Sequence, residues 1–159
     1  MKTFTTRCVR RTEQGGVAVE AAFVLPIIIL FLAIPLFLAR IFWYYSVAEK
    51  AAHDGARFLS QATRAEILEV AGGAPVGVAA LAEAVVDAEL EEIRPGLVVA
   101  GVTVLCDNFK CSGAGVPSIV YVAVEIRMRD EIFGPLTAPL FGEDGLRLSA
   151  GVTMRYAGN

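Results

Sequence analysis

The sequence predicts an α+β protein: a long N-terminal transmembrane helix that continues into a small domain, where a second helix packs on a three- to four-stranded antiparallel sheet. Three observations carry that expectation. Ala21 to Ala39 contains no charged residue. A helical period of small and apolar residues runs on from there to about Thr63. The last third alternates apolar and polar residues in two separate runs, the mark of half-buried strands. The chain has 159 residues, 55% of them hydrophobic, and a mean hydropathy of +0.58, above the usual soluble range. The excess sits mostly in the N-terminal segment, so it reports an anchor and not a greasy globule. Roughly 80–100 residues remain for one small domain with a modest core. Net charge is -3, and no Lys/Arg-rich run follows the N-terminus, so no nucleic-acid partner is expected.

Residues 1–15 read as a basic leader, with Lys2, Arg7, Arg10 and Arg11 against Glu13. That excess favours a cytoplasmic N-terminus, with everything after the helix translocated. Residues 16–63 read as the long helix, its transmembrane segment at about 17–41. At a rise of about 1.5 Å per residue, the uncharged run from Ala21 to Ala39 with its entry turn spans roughly 30 Å, one bilayer core. The run is too long for the apolar part of a secretory signal and lacks an A-x-A-like site at its far end, so the segment is expected to stay as an anchor. Phe42, Trp43, Tyr44 and Tyr45 follow it as an interfacial belt, with Arg40 snorkelling to the headgroups of the lipid bilayer. Pro26 and Pro35 each remove one backbone hydrogen bond. Either they mark packing against other helices or they are simply tolerated.

Beyond the belt, Ala48, Ala51, Ala52, Gly55, Phe58, Leu59 and Ala62 share one face. That small-sided face suits another helix, or the chain's own sheet. Residues 64–159 form the extracytoplasmic domain. Arg64 to Val70 adds a turn or two of helix, and Gly72-Gly73-Ala74-Pro75 breaks the chain. The second helix is expected over about Val76 to Ile93, with Val78, Leu81, Val85 and Ala88 inward and Glu83, Asp87 and Glu91 on a solvated face. Leu97 to Cys106 reads as a strand. Ile119 to Met128 and Leu146 to Tyr156 each show one wet face, which implies an antiparallel sheet covered on one side. The cover is the second helix, with the end of the first as a further candidate. Asp107 to Pro117 is a turn region, and Asp130 to Gly145 a longer loop whose Phe133 and Phe141 close the core.

No catalytic or metal constellation stands out, so no enzyme activity and no cofactor is expected. His53 and Asp54 are sequence neighbours on a helix and do not face each other. Cys106 and Cys111 lie on the far side of the apolar run from Cys8. If the membrane separates them, the two pair as a disulfide in an oxidising compartment while Cys8 stays reduced.

Glu20 is the odd residue, a carboxylate at the start of the apolar run. Gly15, then Gly16-Val17-Ala18-Val19, then Glu20 resembles the prepilin cleavage pattern of glycine, four residues and glutamate. The wider run RRTEQGGVAVEAAFVLP, with Gly55-Ala56-Arg57 after the helix, resembles TadE-like proteins of tight-adherence (Tad/Flp) pilus systems. Ala21 departs from the Phe or Tyr that many such proteins carry after the glutamate. The resemblance implies a pilin-like fold and a single-pass protein of the bacterial inner membrane, its domain periplasmic, extracellular or part of the pilus fibre. It implies cleavage by a prepilin peptidase after Gly15, or after Gly16 one residue on. It implies that Glu20 pairs with the new N-terminal amine of a neighbouring subunit. The partners would be that peptidase, other pilins or pseudopilins and the inner-membrane assembly platform. The alternative is a single-pass anchored binding module in which Glu20 is incidental.

Overall fold

The computed structural model describes residues 14–69, 77–128 and 145–158, together with Gly134 and Pro139. Residues 1–13 of the leader, the Gly72-Gly73-Ala74-Pro75 break and the expected core-closing Phe133 and Phe141 lie outside the described residues. The chain divides into two compact units at Ile41/Phe42.

Helix α1 runs over Gln14–Gln61, close to the predicted span, and both Pro26 and Pro35 lie inside it. In the first unit its side chains are largely exposed, Phe23 by 72% and Phe31 by 71%. The helix is long and apolar enough to cross a membrane, with a peak hydropathy of 2.9 over 18 residues. An apolar surface of that extent is unstable in water and suits lipid or other helices.

The second unit is an α+β domain of two layers. Its sheet holds β1 (Leu97–Cys106), β2 (Phe109–Lys110), β3 (Ile119–Met128) and β4 (Leu146–Arg155) in the order β2-β1-β3-β4, all antiparallel. The alternation of β3 is met along its length: Val120, Val122, Val124, Ile126 and Met128 are buried, and the residues between them are half-buried. This follows from the period of two, which puts alternate side chains on one face.

The buried face is covered by helices. The later part of α1 contributes Ala48, Ala51, Ala52, Ala56 and Leu59, all fully buried. Gly55 lets α1 approach α3 (Gly77–Leu90) and β3 at once. A Cβ there would stand 2.5 Å from Val86 Cγ2 and 3.4 Å from Val122 Cγ1. So the end of the first helix does cover the sheet, beside α3. Phe58, expected on this face, is 39% exposed.

Helix α3 is rotated from its expected setting. Its buried residues are Val78, Ala79, Ala82, Val86 and Leu90, whereas Leu81 is 58% exposed, Val85 half-buried and Ala88 exposed. The cause is in its composition. Only Glu83, Asp87 and Glu89 are polar in the helix, so its apolar pattern admits more than one inward face. Packing against the small side of α1 selects among them.

Three local devices hold the elements. Helix α2 (Arg64–Leu68) opens on a capping box in which the Thr63 hydroxyl accepts from Glu66 N–H and Glu66 Oε2 accepts from Thr63 N–H. Asp107 and Asn108 take positive φ, 49° and 69°, and form the two-residue β1–β2 hairpin, which demands that conformation. The Asp107 carboxylate accepts from the N–H groups of Ser118 and Ile119, all at 3.0 Å. Near the C-terminus, Ala157 N–H donates to Ser60 O at 2.9 Å and Tyr156 O–H to Ala62 O at 2.7 Å. These bonds meet carbonyls that the end of α1 leaves without helical partners.

Candidate assembly interface along the N-terminal helix

Gly15, Gly16 and Glu20 lie in the first turns of α1. Glu20 is exposed and, by helical spacing, shares a face with Gly16, Val17, Phe23, Val24 and Ile27. The arrangement is one carboxylate at the start of an otherwise apolar surface. In lipid, a lone charge costs about 2.5–3.5 kcal/mol at the bilayer centre and less near an interface. The site therefore favours a cation that arrives with an apolar helix around it.

The aromatic group at the end of the run is not uniform. Phe42, Trp43 and Tyr45 are 67%, 55% and 40% exposed, which fits rings at a headgroup layer. Tyr44 departs from that expectation at 7% exposure, its ring edge-on to Trp43 at 6.4 Å. A helix shows successive residues to different sides, so four aromatics in a row cannot all face lipid once one side meets the domain. Arg40, just before them on α1, is half-buried.

The other candidate residues do not assemble into a reactive site. His53 Nδ1 stands 3.7 Å from Asp54 Oδ1, beyond hydrogen-bond reach, with both side chains well exposed. Glu83, Asp87 and Glu91 are exposed or half-buried, as expected of a solvated row. Among the described residues no group of three metal-ligating side chains comes together.

Cys106 and Cys111 are at disulfide distance, with Cα atoms 5.0 Å apart across the β1–β2 hairpin. In the chain-entropy account, a bridge closing so short a loop stabilises by about 2 kcal/mol. Thiol labelling of the membrane-extracted protein without reductant is expected to miss both residues. Free labelling of either in native protein counts against the bridge.

Sequence reasoning missed the capping box, although Thr63-x-x-Glu66 ahead of a short apolar segment is its usual signal. Hydrogen bonds from the backbone N–H of Thr63, then from its hydroxyl, hold the Glu66 carboxyl below its ordinary value of 4.5. A depressed carboxyl pKa contributes stability that is present above 4.5 and lost as pH falls through the lower folded value. Amide exchange over Arg64–Leu68 is expected to quicken as pH falls below the ordinary carboxyl value of 4.5, after correction for intrinsic rates, and Glu66→Gln to remove that pH dependence. Exchange that stays pH-independent in the wild type would remove the charge from the cap. Lys50 shows the opposite case. Its bond to Glu89, at 2.5 Å, and that carboxylate's charge raise its pKa.

The class is thus an α+β domain with one N-terminal apolar helix, compatible with a single-pass membrane anchor and carrying one carboxylate near its start. Residues 15–57 match the family model described as TadE-like protein, which bears out the resemblance read from the sequence over that span. That family is a structural component of pili and not a known enzyme family. No curated protein and no solved structure matches the chain.

Proposed function

We propose that the chain is a pseudopilin or minor-pilin-like structural subunit for assembly of a Tad (Flp) type IV pilus. A prepilin peptidase cuts the leader after Gly15 or Gly16 on the cytoplasmic side of the inner membrane. Helix α1 stays in the bilayer, Glu20 meets the new amine of an adjacent pilin, and the domain stands outside. The observation that carries this reading is the family match. It begins at Gly15 and takes in Glu20, the whole apolar run and the Gly55-Ala56-Arg57 segment. The uninterrupted α1 supports it, because a helix running from membrane into domain can pass its register from one subunit to the next.

Intact-mass measurement of the membrane-extracted protein tests the reading. The expected mass lacks Met1 to Gly15, or one further glycine. A mature full-length chain would overturn it in favour of an anchored module.

A further inference from the structure

The segment after β4 turns back onto the end of α1. Tyr156 N–H donates to Ser118 O at 3.1 Å, one step past the last strand pair, Ile119 with Arg155. The next contacts leave the sheet. Ala157 N–H donates to Ser60 O at 2.9 Å, and the Tyr156 hydroxyl donates to Ala62 O at 2.7 Å. Ser60 and Ala62 are buried, beside the fully buried Leu59. Carbonyls at a buried helix end have to be paired, and here the partners come from 94 positions along the chain in the case of Ala62. Gly158 closes the fit. A Cβ there would run into Ala62 O and the ring of Tyr156, so no side chain has room.

We infer that Tyr156–Gly158 is a strap that fixes the last turn of α1 and closes only when β4 is paired in register with β3. Among the fully buried residues of α1, Leu59 is the largest, and it sits in that last turn. With the strap open, the Ser60 and Ala62 carbonyls turn to water, the turn frays and Leu59 loses its cover. With it closed, the end of the helix is tied to β4. Ser118 carries the tie further, because its own N–H donates to the Asp107 carboxylate at the β1–β2 turn. Register decides the outcome. A slip of β4 by one residue would take Tyr156 and Ala157 off both carbonyls and turn the strand's apolar side over. The end of the long helix is therefore finished by the last strand of the sheet. The strap rests on bonds within the domain and needs neither leader cleavage nor the Glu20 pairing, so it stands apart from the pilus reading.

Hydrogen exchange of the full chain in detergent micelles, read by mass spectrometry, tests the strap. In Gly158→Ala the amides of residues 57–62 are expected to exchange at least about tenfold faster, while those of Val122–Ile126 at the centre of β3 stay within about twofold of wild type. Tyr156→Phe loses one hydrogen bond and keeps the ring, so a smaller rise is expected at the same residues. It also serves where the glycine variant fails to fold. Failure of either folded variant to quicken residues 57–62 overturns the proposal. So does a rise that β3 shares equally in Tyr156→Phe, because the segment would then belong to the core and not close over it.

Discussion

Gly55→Leu is expected to cost the domain about 3 kcal/mol or more, the usual upper range for overfilling a packed site. The reason is geometric. Carbon atoms rest about 3.5–4.0 Å apart, and the first added carbon at Gly55 would lie 2.5 Å from Val86 Cγ2. Val86 cannot swing away, since it is β-branched and fully buried. On the other side waits Val122 Cγ1 at 3.4 Å, also fully buried. Gly55→Ala sets the same clash against a gain of about 1 kcal/mol in helix propensity, so it is expected to destabilise more mildly. For a domain of this size, 3 kcal/mol lowers Tm by at least about 10 °C. Thermal unfolding of the full chain in detergent, followed by near-ultraviolet circular dichroism, measures it. An unchanged Tm for Gly55→Leu would mean that α1 does not seat between α3 and β3.

The second large effect falls on assembly. If the chain works as proposed, Glu20→Ala leaves membrane insertion and leader cleavage intact and reduces surface pili to about 1% of normal or less. Removing one partner of an ion pair in a water-poor site costs about 3–5 kcal/mol, a factor of more than a hundred at each contact. Insertion itself loses nothing, because alanine is cheaper than a carboxylate at the edge of the bilayer. Fractionation and intact mass report the first part of the outcome, and quantification of sheared pili the second. Normal piliation by the alanine variant would assign Glu20 no part in subunit contact, even if the leader is removed. The Gly55 and Glu20 experiments are separable. One perturbs the domain and spares the start of the helix, and the other does the reverse.

Both rest on residues that differ in how legible they were. The strands could be read because strict alternation has one solution: moving β3 by one residue would turn Val120, Val122, Val124 and Ile126 to water. The extent of α1 was equally plain, since an uncharged run of that length joined to a helical period permits few other structures. The pattern around Gly15 and Glu20 lies in consecutive residues, so it needs no tertiary information. Helix α3 was not legible in the same way. Its residues are apolar on several sides, and sequence spacing ranked Leu81 and Val85 inward where packing chose Ala79, Ala82 and Val86. The burial of Tyr44 was hidden for a related reason, because its neighbours in sequence face another side of the helix.

By itself, then, the sequence determined an apolar membrane-length helix, the identity of its marked ends, and an antiparallel sheet with one dry face, since each follows from periodicities that local sterics enforce. Only the tertiary structure decided which side of α3 is left outside, that Gly55 is the point where three elements meet, and that Arg127 and Arg147 stand opposite each other in adjacent strands. Those depend on close packing between residues far apart in the chain, where a single methyl group settles which arrangement fits.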